Sequence, residues 1–480
     1  MQYRFLSNLI LVLVLNFLVK PLWIFGIDRG VQAAVGTEAY GGYYALLNYS
    51  FLFNIILDMG MSYYNNRAVS QDANLVKKYF SNIITLKIVL GLLFFFFSIT
   101  VGYLLGYSVN QLSLLSILLI NQILVSMIYY VRSNVSGLQL FKSDSLLSVL
   151  DRGLMIIFCG IVLWSDLTRI QMSIKFFVLA QSSAYAITFI IGLLILARNQ
   201  KRISFQLNFK DSFLLMKKSL PYALLILLMT LYSRIDAVMI ERIIPEGKFQ
   251  AGIYAQAYRV LEALNMIAFL FASLLLPMFS NMLSKKESIH QLTKLASKLL
   301  IFPAFVVAIC LYAFSEEIMR LLYYYNYNSV KDLFAILILT FIPVATGYIF
   351  GTLLTANGNL KHLNIVSIIT LMLNIILNGF LIPRNGAIGA AIATVITQST
   401  SIIIQLIIAK RIFNFNISKN TILKILGTIS IGFLIVSCSG LLSINWIAEL
   451  TISIFLFLIY GYLTNLIDIK GLYGILKEKH

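Results

Sequence analysis

The sequence predicts an all-α integral membrane protein of about fourteen transmembrane helices, and three observations predict it. Of 480 residues, 60% are hydrophobic and only 12% are charged, with a mean hydropathy of +0.88, whereas soluble domains carry roughly 25% charged residues. Apolar runs of the roughly 20 residues needed to cross a bilayer recur along the chain, and the alternating segments of a membrane β-barrel are absent. The basic residues between those runs, finally, are sorted by side.

The runs fall near residues 5–27, 41–65, 80–105, 111–131, 145–164, 174–197, 219–240, 252–279, 295–315, 333–356, 362–383, 387–409, 421–441 and 446–466. Placing the N-terminus inside puts roughly 24 Lys and Arg on the cytoplasmic side, including Lys77, Lys78, Arg198, Lys201, Arg202, Lys285 and Lys286, against 8 outside. That is the positive-inside pattern of short loops. It explains the net charge of +18 without invoking nucleic acid. Both termini are expected in the cytoplasm, and Trp23, Trp164 and Trp446 fall at the outer interface, where tryptophan belts sit. The first run is too long for a cleaved leader and is interrupted by Asn16 and Lys20. The location expected is a bacterial inner membrane.

The longest loop, Arg198 to Lys218, divides the chain. The two sides repeat faintly: Gly42, Tyr44 and Ala45 correspond to Gly252, Tyr254 and Ala255, and the turn at 137–142 to that at 356–361. The expected organisation is two pseudo-symmetric six-helix lobes, 1–210 and 211–415, plus a terminal helix pair, 416–480. Cys159, Cys310 and Cys438 lie inside runs, and His290, His362 and His480 are scattered. No disulfide framework, metal site, catalytic set or cofactor is expected.

Charge at mid-bilayer costs at least ~2.5 kcal/mol, so each ionisable group there needs a partner, a wet cavity or a function. The candidates are Lys20, Asp58, Lys87, Asp151, Arg152, Arg234, Asp236, Arg259 and Glu262. Arg259 and Glu262 have the spacing of an intrahelical pair, and Asp151 with Arg152 reads equally as a local ion pair. Lys87 reads as snorkelling to the cytoplasmic interface. Arg234 and Asp236 project about 200° apart on a helix and must each find other surroundings. Polar stripes run along the eleventh span (Asn364, Ser367, Thr370, Asn374, Asn378) and the twelfth (Thr394, Thr397, Gln398, Ser401, Gln405). Such stripes either bond helix to helix or line a cavity.

The stretch Tyr232-Ser-Arg-Ile-Asp236, then Gly252-Ile-Tyr-Ala255, Tyr258-Arg259-Val-Leu-Glu262 and Leu276-Pro277, resembles the seventh and eighth helices of polysaccharide transporters in the multidrug/oligosaccharidyl-lipid/polysaccharide flippase superfamily. Asn374 to Asn378, running into Pro383, Gly386 and Gly389-Ala-Ala391, and Asp58-Met-Gly60 through Arg67 are similar to other parts of that family. The resemblance implies a central cavity between the lobes, worked by alternating access. Its cargo would be an undecaprenyl-pyrophosphate-linked oligosaccharide, moved to the periplasmic leaflet for O-antigen, capsule or exopolysaccharide assembly. Lys20, Arg152, Arg234 and Arg259 are the expected cavity cations for the pyrophosphate, and Arg67, the one cation of the second helix, lies near its end. Asp58, Asp236, Glu262, Asn374 and Asn378 are the expected polar cavity groups, with coupling to H+ or Na+ at Asp58 or Asp236 extrapolated from the superfamily. Membrane lipid and a polysaccharide polymerase complex are the expected neighbours. Two rival readings are a multidrug exporter of the same superfamily, which an acidic lining would favour, and a membrane polymerase or glycosyltransferase, for which the outer loops are too short.

Overall fold

A chain this apolar can satisfy its backbone in hydrocarbon only through helices or a closed barrel, and the computed structural model resolves which. Residues 15–16, 18–62, 65, 69, 75–165, 171–199, 209–415, 419–438 and 445–466 are described, and among them there is no strand. A π-helical segment, Leu22–Asp28, runs into α1 (Arg29–Val35), α2 (Thr37–Leu52) and the short α3 (Ile55–Asp58). Then come α4 (Leu75–Leu104), α5 (Val109–Gly137), α6 (Phe141–Trp164), α7 (Ile174–Asn199) and α8 (Phe209–Ile243). After them follow α9 (Gly247–Ser284), α10 (His290–Ala313), α11 (Ser315–Leu322), α12 (Tyr327–Ile338), α13 (Phe341–Ala356), α14 (Leu360–Phe413), α15 (Lys419–Cys438) and α16 (Trp446–Leu463).

Among the described residues nine helical stretches are long and apolar enough to cross a membrane. The chain is an all-α, multi-span membrane protein. The third to sixth expected runs each match one helix, α4 to α7, and the seventh lies within α8. The eleventh and twelfth runs share α14, an unbroken 54-residue assignment that is folded at Gly386, whose φ of 56° and ψ of −138° are not helical. Only glycine takes that conformation without strain. Gly389 completes the turn, since a Cβ there would overlap the Leu381 carbonyl oxygen. Residues 5–14 and 17 of the first expected run lie outside the described residues, as does Arg67. The second run is not one helix: α2 ends at Leu52, α3 spans one turn, and Met59 and Gly60 both have positive φ, 43° and 79°.

By packing, the chain falls into two compact units, Met1–Gly252 and Ile253–His480. The boundary expected at residue 210 is one of internal repetition; the packing boundary comes later because α8 belongs with the first unit. Its side chains bond α2, where Arg234 meets Asn48, and α5, where Gln111 donates to Glu241 at 2.9 Å. In the first unit α5 packs on α7, and Phe80, Tyr130, Val131, Leu147 and Leu196 form part of a core joining α4 to α7. A second cluster fills the space around α2: Tyr40, Tyr43 and Tyr44 are all essentially buried, with Trp23 stacked on Phe177 at 5.9 Å. In the second unit α10 carries the terminal pair, Phe302, Val306 and Cys310 packing on Ile435 of α15 and Phe457 of α16.

Within the first unit, α2 and the start of α9 touch backbone to backbone. A Cβ on Gly41 would overlap the Lys248 carbonyl oxygen, and one on Gly252 would overlap that of Thr37. Neither backbone can yield as a flexible side chain would. Gly41→Ala and Gly252→Ala are therefore each expected to cost about 1–3 kcal/mol, read as a lower melting temperature of the purified protein in detergent. Gly153→Ala, with nothing within 4 Å of the new methyl, is the matched control and is expected to melt as the parent does.

Candidate transport site

The first unit contains four clusters of polar and charged groups inside its helices. At the break in the second span, α3 ends on Asp58 and turns through Met59, a left-handed residue without glycine's freedom, costing roughly 1–2 kcal/mol. Lys87 of α4, 1% exposed, meets that break: its Nζ lies 2.5 Å from Asp58 Oδ1 and donates to the Leu57 carbonyl at 3.1 Å and to Ser126 Oγ at 2.8 Å. Ser62 donates its hydroxyl and its amide to the same carboxylate, at 2.5 and 3.2 Å. The side chain of Asp58 is 29% exposed, so one edge of it stays accessible. The expectation that Lys87 snorkels to an interface is overturned. A half-buried carboxylate and a carbonyl freed by the helix break hold the ammonium inside instead, which costs less than leaving either charge alone.

The second cluster joins the first helix to α6. Asn16 donates to Ser148 at 3.3 Å, and one to two turns on, Arg152 lies 5.3 Å over the Trp23 ring and donates to the Tyr185 hydroxyl at 3.1 Å. Asp151 approaches the Arg152 guanidinium only to 3.6 Å, a loose ion pair. Lys20 is half-buried on the face shared by Asn16 and Trp23. The structure thus puts Lys20 and Arg152 on one helix seam, which their separation of 132 residues hid.

On α8, Arg234 is half-buried, with its guanidinium 4.8 Å over the Phe51 ring and 3.4 Å from Asn48 Oδ1. Asp236 is 2% exposed on another face of the same helix. A fourth cluster was missed in the sequence because Asp28 falls one residue beyond the expected first span. It is 1% exposed, accepts from Tyr40 at 2.8 Å and from Gln32 at 2.9 Å, and the Asp28–Gln32 spacing of four was the available signal. Arg242 lies 3.6 Å over the Tyr107 ring and pairs with Glu241 at 2.7 Å.

In the second unit Arg259 and Glu262 form an intrahelical ion pair of 2.6 Å, with side chains 12% and 27% exposed. Asn374 and Asn378 are fully buried one turn apart, bonded at 3.1 Å. Thr370, Thr394 and Thr397 donate to carbonyls of their own helix. This is the local back-bonding that lets a hydroxyl sit in hydrocarbon, so for these three the stripe is satisfied helix by helix. Cys159 and Cys310 are buried free thiols, and among the described residues no group of three His, Cys, Asp or Glu could hold a metal ion.

Long helices carrying buried cations, one broken span and a glycine-folded helix pair define a specific architecture, and comparison with known proteins recovers it. The sequence model described as "Polysaccharide biosynthesis protein" matches residues 5–283, more than half of the chain. The chain belongs to this family. The capsular polysaccharide biosynthesis protein CapF of Staphylococcus aureus is 27% identical over 210 residues, 43% of this chain and 51% of that protein. The chain thus aligns with about half the length of that relative. Among solved structures, a lipid II flippase in an inward closed conformation superposes with a TM-score of 0.75 at 18% identity, over 95% of this chain and 98% of that one. An inward-facing multidrug resistance transporter of the MATE family gives 0.63 at 14% identity, over 82% and 94%. Family members are therefore expected to share the fold of these transporters, and the identities are low enough that the likeness speaks to fold alone.

The Asp58–Lys87 pair is asymmetric, and its variants should be too. Asp58→Asn strands an ammonium that is 1% exposed, an uncompensated buried charge worth about 3 kcal/mol or more, whereas Lys87→Met leaves a carboxylate with an accessible edge. Asp58→Asn is expected to depress the melting temperature in detergent more than Lys87→Met does. The reverse order would show that the ammonium is not held as described.

Proposed function

We propose that the protein is a flippase that moves an undecaprenyl-pyrophosphate-linked oligosaccharide from the cytoplasmic to the periplasmic leaflet of a bacterial inner membrane, by alternating access, for O-antigen, capsule or exopolysaccharide assembly. The observation that carries the reading is the combination of membership in the polysaccharide biosynthesis family with cations set inside its spans. Lys20, Arg152 and Arg234 in the first unit and Arg259 in the second are the substrate-binding groups of this reading. A pyrophosphate carries concentrated negative charge, and in a cavity of low dielectric each cation attracts it far more strongly than in water. Guanidinium groups also bond its oxygens in pairs. Arg152 and Arg234 are placed for that task by aromatic faces, the Tyr185 hydroxyl and the Asn48 side-chain oxygen. Arg259 would exchange part of its pairing with Glu262 for the phosphate.

Asp58, Asp236, Glu262, Asn374 and Asn378 serve as the polar cavity groups, with H+ or Na+ coupling at Asp58 or Asp236. The protein works without a cofactor and carries out no bond-making step, and both termini lie in the cytoplasm, where the polysaccharide polymerase complex and the lipid-linked substrate are its neighbours. The second reading, a small-molecule or multidrug antiporter, draws on the fold shared with MATE transporters. Membership in the polysaccharide biosynthesis family argues against it.

Arg234→Ala and Arg259→Ala are each expected to lower surface glycan by about tenfold or more, the loss of one charged hydrogen-bonding partner, at unchanged protein level in the membrane. Normal glycan in both variants would remove the cationic-cavity reading. A deletion strain is expected to accumulate lipid-linked repeat units accessible only from the cytoplasmic leaflet, measured by protease-free glycan labelling of inside-out against right-side-out vesicles. Intact glycan with new drug sensitivity would favour the antiporter.

A further inference from the structure

The break in the second span is a place where one carbonyl has two alternative partners. In an unbroken helix the Leu57 carbonyl accepts from the amide of Met61, four residues on. Here positive φ at Met59 and Gly60 turns the chain off the helical path, and the Leu57 carbonyl takes Lys87 Nζ at 3.1 Å and Ser126 Oγ at 3.2 Å instead. Lys87 thereby bonds the end of α3, at the Leu57 carbonyl and at Asp58, and the Asp58 carboxylate is in turn tied to Ser62 just beyond the turn. The ammonium also lies 5.9 Å from the centre of the Tyr130 ring, on α5. Irregular backbone is tolerated at membrane depth only where protein replaces the missing hydrogen bonds, and here the Leu57 carbonyl is served by side chains from α4 and α5.

We propose that Lys87 is a positioning residue, the clamp on a hinge in the second span that the transporter straightens and re-bends as it works. Straightening residues 59 and 60 into helical conformation returns the Leu57 carbonyl to the Met61 amide and releases the bond from Lys87; re-bending reverses the exchange. In the bent state the carbonyl accepts from Lys87 and Ser126 and in the straight state from the Met61 amide, so neither state leaves it bare in hydrocarbon, and the difference between the states is set by the two side-chain bonds against the amide bond and the strain at Met59. A two-state element with nearly balanced alternatives is what a conformational cycle requires. Straightening also rotates the segment beyond the turn, carrying Met61, 2% exposed in the bent state, out of its buried position.

The hinge is tested independently of cargo by thiol labelling of the full-length protein in which Met61→Cys is introduced on a background where Cys159, Cys310 and Cys438 are replaced by serine. In proteoliposomes, Lys87→Met is expected to raise the rate at which Cys at position 61 reacts with a water-soluble maleimide by about tenfold or more, the equivalent of one lost charged hydrogen bond. Gly60→Ala, which disfavours the bent backbone without touching Lys87, is expected to do the same. No increase with Lys87→Met, or an increase that Gly60→Ala does not reproduce, overturns the hinge. A second readout separates a working clamp from mere structural support and rests on the transport reading. Gly60→Ala leaves Lys87 and Asp58 with their charges in place, and is expected to keep the membrane level of the parent while surface glycan falls at least tenfold. Unchanged glycan in that variant would make the bend structural only and overturn the clamp. Because the labelling readout involves no substrate, its failure is distinguishable from failure of the flippase reading, which the Arg234 and Arg259 variants report.

Discussion

Inside hydrocarbon, a backbone carbonyl or a charge without a partner costs several kcal/mol, and most of the architecture follows from meeting that requirement within the protein. Regular helices meet it for nearly every residue. Where the chain departs from helix, a side chain or a glycine turn makes up the difference: Lys87 and Ser126 at the break after Asp58, and Gly386 at the fold of α14. The threonines of the twelfth span settle the same requirement locally, each on the carbonyl one turn back.

The charges divide by the same logic into those neutralised and those merely supported. Lys87 and Asp58, Arg259 and Glu262, and Arg242 and Glu241 are close pairs whose charges largely cancel. Arg152 and Arg234 are held by ring faces, a tyrosine hydroxyl and an asparagine oxygen. Such surroundings orient the guanidinium by ring-face and hydrogen-bond contacts.

Helix packing adds a further constraint on what can move. The contact of Gly41 with the Lys248 and Gly252 backbone leaves no room for even a methyl group, and α8 is tied to the first unit by Arg234, Glu241 and Arg242. Rigid seams of this kind make motion concentrate where packing is replaced by exchangeable hydrogen bonds, and the break at residues 59 and 60 is such a place.

Much of this was legible in the sequence. Apolar run length and charge content specify a multi-span helical protein because crossing hydrocarbon leaves so few backbone solutions, and the runs at 80–105, 111–131, 145–164 and 174–197 each became one helix. The in-span cations could be named for the same reason: a charge in an apolar run stands out. The partners that come from other helices could not; Glu262, on the same helix as Arg259, could. Lys87 finds Asp58 at a separation of 29 residues, Arg152 finds Tyr185 at 33 and Arg234 finds Asn48 at 186. Asp28 was overlooked since a hydropathy window ends where its charge begins, and the broken second span was read as continuous since a run of apolar residues has the same hydropathy bent or straight. One-dimensional hydrophobicity determines how often the chain crosses; which charges are spent on holding it together is decided by contacts between helices, and only the tertiary structure makes those.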